Sequence, residues 1–430
     1  MLRRVAVALA MIVAVPCAAQ ESSPARTQAD ASTPRLTGRA NDVLAVLKGL
    51  RPASEVFAST FLSLVSAAQL QQVTAQLTAA HGALIAVDQV TPTSPYTANI
   101  AMRFEKATGR GVLTLSPDAP HLVTGLVLQS FEVAGDTSDK VRADLLALPG
   151  TVNAWFGPVD SGEPVLALNA DRPLALGSTF KLYVLAALAR SVAEGEHRWD
   201  EVVPLTARSY PSGVMQNWPP NSPVTLQTLA TLMLQISDNT ATDQLIALLG
   251  RSAIEAELRR TNREPAKSLP FMTTREMFLI KSDPDLRTRY QQAGEAERRQ
   301  LLGTLAGKTA PLATVAATFG GAPLAIDTIE WFASPESLRR LMQTLDDPQF
   351  ETARSLLTAN QNLDEQAASR WNYVGYKGGS EPGVLNLTWL LQDKAGRWHM
   401  LTLGWNNPAA PVDTAVLDAL AKRLLALPAP

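Results

Sequence analysis

Strand-like segments lie at both ends of the stretch 151–430, and a long run of helical pattern separates them. Near the start, 152–156 and 165–168 are short apolar runs joined around Asp160-Ser161-Gly162, a hairpin signal. Near the end, 374–377, 385–391 and 398–404 are the next segments of this kind. Between them the apolar spacing turns helical over 178–192, 226–237 and 240–249, and an amphipathic helix closes the chain over 417–427. Strands at the two ends of one globular stretch fit a single antiparallel sheet whose faces are covered by the intervening helices. The expected class is α/β (α+β).

A chain of 430 residues is longer than one such unit needs, so a second domain is expected. Apolar residues at helical spacing from Leu44 to Leu77, then strand-like runs over 83–90, 96–104, 111–115 and 126–133, describe a small α+β domain over 39–150. A short helix over 139–148, ended by Pro149-Gly150, closes it. Residues 20–38, rich in Ser, Thr, Ala, Pro and Gln, read as a flexible tether. Residues 1–19 begin with Arg3 and Arg4, continue with a short apolar run and end in Pro16-Cys17-Ala18-Ala19. That is the pattern of a secretory signal peptide cut after Ala19, so the protein is expected to be secreted or periplasmic. A lipid anchor on Cys17 is the alternative, disfavoured by Pro16 where a small residue is wanted. No later segment is apolar for long enough to span a membrane.

Composition removes several functional classes. With 38 basic and 40 acidic residues the formal net charge is −2, which leaves no basic surplus for nucleic acid. Cys17 is the only cysteine, and the four histidines, His81, His121, His197 and His399, are scattered. No metal site and no cofactor is expected from these residues.

The chemistry concentrates in three short motifs. Ser178-Thr179-Phe180-Lys181 is an S-x-x-K at a predicted helix start. A serine in the first turn faces the positive end of the helix dipole, and a lysine three residues on shares its face. A desolvated lysine crowded by other cations gives up its proton and can then deprotonate the serine, making a nucleophile without histidine. Ser237-Asp238-Asn239, 59 residues later, ends one predicted helix and caps the next. Lys377-Gly378-Gly379-Ser380 follows the start of a strand, and its small residues let a substrate lie along the strand edge. Each motif alone also reads as ordinary structure: a helix start, a cap, a turn.

Together and in this order they resemble the S-x-x-K, S-D-N and K-T-G elements of class A β-lactamases and penicillin-binding proteins. The resemblance extends over 151 to about 425, and includes the approach Leu168-Asn169-Ala170-Asp171-Arg172-Pro173-Leu174-Ala175-Leu176-Gly177. The preceding α+β domain is similar to the cone-shaped NTF2-like fold, and the combination looks like the esterase-like proteins of clavulanic acid gene clusters. The resemblance implies that Ser178 is acylated, Lys181 is its base and Ser237 relays a proton to the leaving group. It implies that Asn239 orients substrate and Lys181, that Lys377 supplies positive charge, and that Gly379 and Ser380 lie along the substrate. The amides of Ser178 and Ser380 would form an oxyanion hole. Tyr210 is a candidate for the pocket mouth.

Two departures bear on function. Gly378 stands where the family has a hydroxyl that helps hold a substrate carboxylate. The E-x-x-L-N pattern of the deacylating loop has no complete copy: Glu276-Met277-Phe278-Leu279 continues with Ile280. Moreover, Thr273 and Glu276 read as a capping box. Glu381-Pro382-Gly383-Val384-Leu385-Asn386 echoes the pattern but is one residue too long and reads rather as a turn after the substrate strand. Gly303-Thr304-Leu305-Ala306-Gly307-Lys308-Thr309 has one residue too few for a phosphate loop. The expected function is a serine hydrolase acting through an acyl-enzyme on a small molecule, either a β-lactam or an ester. A D-alanyl-D-alanine carboxypeptidase and a catalytically idle penicillin-binding or ligand-binding protein remain as alternatives.

Overall fold

The computed structural model describes residues 25–133 and 135–427. The expected signal peptide, 1–19, lies outside the described residues. The chain divides into two units, one within 1–131 and one within 132–430.

In the first unit, α1 (Ala25–Leu47), α2 (Ser59–Leu64) and α3 (Ala67–His81) precede four strands. These are β1 (Leu84–Ser94), β2 (Thr97–Phe104), β3 (Ala107–Leu115) and β4 (Val123–Val133), paired in chain order. Ser66 starts α3 as a capping box: its hydroxyl accepts from the Gln69 amide at 3.3 Å, and Gln69 accepts from the Ser66 amide at 2.9 Å. Burial alternates along β3, so one face of the sheet meets the helices. Val43, Phe57 and Phe61 pack there against Met102, Phe104 and Leu113. The tether expected over 20–38 is cut short by α1. Leu36 is completely buried in this core, and that burial, in an alanine-rich segment of good helix propensity, outweighs the hydrogen bond lost at Pro34 inside the helix.

The second unit opens with α4 (Ser138–Leu146), the helix expected to close the first domain. Its Val141 and Leu145 are fully buried in the second unit's core, which places it there. Then follow β5 (Thr151–Pro158), β6 (Leu166–Leu168), β7 (Leu174–Ala175) and α5 (Lys181–Ala193). A small hairpin of β8 (Val202–Pro204) and β9 (Pro223–Thr225) leads to α6 (Leu226–Gln235), α7 (Asn239–Leu249) and α8 (Arg251–Thr261). Next come α9 (Thr274–Ser282), α10 (Pro284–Gln292), α11 (Glu295–Gly303) and α12 (Leu312–Phe319). β10 (Phe332–Ala333) pairs with β7, and α13 (Pro335–Leu345), α14 (Glu351–Leu357) and α15 (Glu365–Ala368) follow. The unit ends with β11 (Tyr373–Glu381), β12 (Val384–Gln392), β13 (Trp398–Asn406) and α16 (Thr414–Ala426).

The main sheet runs β11-β12-β13-β5-β6, antiparallel throughout, so strands from the two ends of the stretch meet along β13 and β5 as the pattern requires. Both faces are buried, as the near-continuous apolar runs of β12 and β13 dictate. Leu387, Trp389, Leu401 and Leu403 face α16 and α4, while Leu390 and Met400 face the helical core around α5. From Lys181 to Ala189 every residue of α5 is buried, so this helix is enclosed on all sides and its first turn is held rigidly.

Candidate active site

The approach to Ser178 is shaped by two glycines. Ser178 lies in a single 3-10 turn, Gly177–Phe180, that runs straight into α5. Gly177 has a φ of 49°, and a Cβ there would stand 2.7 Å from the Ser380 amide nitrogen. On the strand side, a Cβ on Gly379 would strike the Leu176 carbonyl oxygen and the Ser178 amide nitrogen. Without side chains at either position, β11 presses directly against the Ser178 turn. The amides of Ser178 and Ser380 are thereby brought into one neighbourhood. Ser178 and Ser380 both line a cavity of about 270 Å³, together with Asn239, Thr274, Phe278 and Glu330 among others.

Lys181 is completely buried at the base of α5. Its Nζ donates to the Ser237 carbonyl at 2.6 Å, the Ser237 hydroxyl at 3.0 Å and Asn239 Oδ1 at 2.7 Å, which uses all three ammonium donors. Lys377 reaches the same Ser237 hydroxyl from β11 at 3.1 Å. Burial, and then the Lys377 cation, hold Lys181 well below the ordinary lysine range, against the opposing pull of Asp243 and Asp238. Burial lowers Lys377 to about 7. Two buried lysines thus share one serine hydroxyl, an arrangement suited to passing a proton between them.

Ser237 and Asn239 owe their positions to Asp238. Its buried carboxylate caps α7 through the Ala241 amide at 2.9 Å and accepts the amides of Val214 and Met215 at 2.6 and 2.9 Å. Ser237 is forced to a φ of 56°, left-handed for a non-glycine residue, the kind of local strain that clusters at functional sites. Asn239 is oriented by donating from Nδ2 to the Tyr210 carbonyl at 3.0 Å. Tyr210 enters the site through that carbonyl. Its ring packs edge-on to Phe278 and its hydroxyl bonds the backbone of Ala310, while Pro211 and Ser212 line the cavity beside it.

A second charged cluster, of which the sequence pointed only to Glu381, stands at the same cavity. Lys281 of α9 has no exposed side-chain surface; its Nζ lies 2.5 Å from Glu381 Oε1 and 3.5 Å from Glu330 Oε1. Both acids line the cavity that contains Ser178. No motif marks Glu330; at Glu381 the sequence offers an E-x-x-L-N echo one residue too long, and its place four residues after Lys377 on the same strand puts both on one face. Glu276, by contrast, is engaged as its local pattern predicts. Thr273 accepts from the Glu276 amide at 3.1 Å, and Glu276 accepts from the Thr273 amide at 2.7 Å and from Arg251 at 2.7 Å. It is absent from the cavity lining. Asp243 pins the same end of α9 to α7, accepting from Thr274 and Arg275, and burial raises it to about 6.

A model of the family described as the beta-lactamase enzyme family matches residues 136–361. The match spans Ser178, Lys181, Tyr210, Ser237 and Asn239 and ends before β11, so Lys377, Gly379 and Ser380 lie beyond it. Among solved structures, a beta-lactamase from Sphaerobacter thermophilus DSM 20745 is 21% identical and covers 67% of this chain and 94% of its own, with a TM-score of 0.45. A beta-lactamase from Chitinophaga pinensis DSM 2588 is 14% identical over 67% of this chain and 96% of its own, with a TM-score of 0.44. PBP-A is 17% identical over 67% and 94%, with a TM-score of 0.45. No curated protein sequence matches the chain.

Proposed function

The chain belongs to the beta-lactamase enzyme family and is a serine hydrolase of the β-lactamase type, and from that premise we propose that Ser178 is the residue acylated by a β-lactam or small ester. The observation that supports this most is the environment of Lys181. A buried lysine, bonded to Ser237 and Asn239 and beside a second buried cation, gives up its proton more readily than an ordinary lysine, and once neutral it can serve as a base. In the proposed reaction neutral Lys181 takes the Ser178 hydroxyl proton as Oγ attacks the substrate carbonyl. The amides of Ser178 and Ser380 stabilise the oxyanion. Ser237, between Lys181 and Lys377, carries the proton to the leaving group as the carbonyl–heteroatom bond breaks.

Esters are the favoured substrates in this reading. Gly378 offers no hydroxyl to the carboxylate that a β-lactam carries. The cavity beside Ser178 also presents Met277, Phe278, Phe319 and Trp331, an apolar wall suited to an uncharged acyl arm. No described helix is long and apolar enough to cross a membrane. We further propose that residues 1–19 direct secretion or periplasmic export and that the first unit is NTF2-like, a branch resembling the clavulanic-acid-cluster esterases.

The test is covalent labelling with turnover. Wild type and Ser178→Ala are exposed to penicillin and to a short-chain nitrophenyl ester, and intact mass is followed alongside product release. The expected result is a transient adduct on wild type, ester release exceeding lactam hydrolysis, and no adduct on the variant. An adduct that persists would instead mark a penicillin-binding protein. Labelling of the Ser178→Ala protein would end the assignment.

A further inference from the structure

On the reading of Ser178 as the acylated serine, we propose that Glu381, clamped by Lys281 and paired with Glu330, takes the proton from the water that deacylates the enzyme. It would do the work that a loop glutamate does elsewhere in the family, from a different element of the fold.

Strand geometry sets its direction. Lys377, Gly379 and Glu381 alternate onto one face of β11. On that face Lys377 reaches Ser237 and Gly379 abuts the Ser178 turn. Glu381 is the next residue along, and it lines the cavity with Ser178 and Glu330. Lys281 approaches from α9, with the Phe319 ring 5.8 Å away. Among the described residues, Lys281 and Glu330 are the charged groups that act on Glu381. A structural ion pair needs one carboxylate for one lysine, whereas here two buried carboxylates face a single ammonium. The assembly with both acids ionised is one proton short of neutrality.

That shortage makes a base. Burial foremost, and then the Glu330 carboxylate, raise Glu381 above the ordinary glutamate range despite Lys281. A carboxylate so placed accepts a proton from water more readily than an exposed one, and its apolar surroundings sharpen the effect. In the step itself the water oxygen bonds to the acyl carbon as one water proton moves to Glu381. The resulting oxyanion re-forms the carbonyl and the carbon–Oγ bond breaks, its electron pair going to Ser178. The proton on Glu381 passes to Oγ, leaving a free carboxylic acid and a free serine. Glu276 is no rival, because the Thr273 amide and Arg251 occupy it outside the cavity.

The test uses the full chain with a nitrophenyl ester and a penicillin, following formation and decay of the Ser178 adduct by quenched-flow intact mass. In wild type, decay should accelerate with pH through an inflection well above the ~4.3 of an ordinary glutamate. E381Q should acylate within about threefold of wild type yet deacylate ~100-fold or more slowly, without that inflection. E381D keeps a charge for Lys281 while withdrawing the carboxylate by one methylene; it should fold and show an intermediate decay rate. Wild-type decay and pH dependence in E381Q would overturn the assignment. So would equal losses in acylation and deacylation, the mark of a purely structural role. If E381Q does not fold, a wild-type decay rate that is flat with pH overturns it. A wild type that never forms a Ser178 adduct would instead remove the serine-hydrolase reading, and this inference with it.

Discussion

Lys181 and Lys281 are both completely buried, one directly after the turn that lines the cavity and the other in α9, which also lines it, and their surroundings differ. Lys181 meets hydroxyl, carbonyl and amide oxygens and a second lysine's charge. Lys281 meets two carboxylates. Burial penalises an ammonium in either place; what differs is that two carboxylates touch Lys281 directly, whereas Lys181 touches only neutral oxygens and faces a second lysine, with Asp243 and Asp238 acting on it from farther off. Lys181 is therefore placed to exchange protons and Lys281 to hold charge in position.

The sharpest way to break this comparison is to remove each amine in turn. Lys181→Met should lower kcat/KM by ~10²–10⁴, the usual worth of a general base, while leaving thermal stability near wild type. Lys281→Met should do the reverse in stability, costing about 3–5 kcal/mol at neutral pH by stranding two buried carboxylates. Its deficit should also grow with pH. Glu381, raised by burial and by the Glu330 carboxylate, favours the folded state at low pH, and that contribution fades as pH rises through its folded value. Equal stability losses in the two variants would show that both lysines are ion-paired anchors.

A smaller effect concerns the other buried cation beside Ser237. Lys377, lowered to about 7 by burial, loses its charge as pH rises through neutrality. The KM for a carboxylate-bearing substrate should therefore rise about tenfold from pH 6 to pH 8, while the KM for a neutral ester stays flat. Matching KM profiles for the two substrates would mean that Lys377 does not meet the substrate's charge.

The smallest effect separates Glu276 from the two cavity acids. Glu276→Gln keeps the capping hydrogen bond and weakens the contact with the partly exposed Arg251, so a loss of about 0.5–1 kcal/mol is expected in denaturant titration. Adduct decay at Ser178 should be unchanged. Accumulation of a stable adduct in this variant would restore Glu276 as the deacylating base and displace Glu381.

These residues also differ in how visible they are along the chain. The Ser178–Lys181 pair and the Thr273–Glu276 box are local, three residues apart on single turns, and both motifs can be read directly from the sequence. The sheet strands are equally legible, because apolar runs such as 385–391 bury both faces and leave no doubt about their environment. Leu36 was hidden by its neighbours: one apolar residue among Ser, Thr, Ala and Pro gives no periodicity, although it anchors a helix. The helix at Ser138–Leu146 shows its amphipathic pattern in sequence, but which core receives Val141 and Leu145 is a question of packing.

What the sequence alone determined is the strands of the main sheet, the helices that carry the motifs and the three motifs themselves, since helical and strand periods and i, i+3 spacings act over a few residues. What only the tertiary structure decided is which charges meet. Lys281, Glu330 and Glu381 come from a helix, a connecting segment and a strand, and no local rule ties them together. Likewise, Lys181 and Lys377 share the Ser237 hydroxyl only because two glycines let β11 close against the Ser178 turn. Electrostatic partnership depends on distance and burial in space, and chain separation records neither.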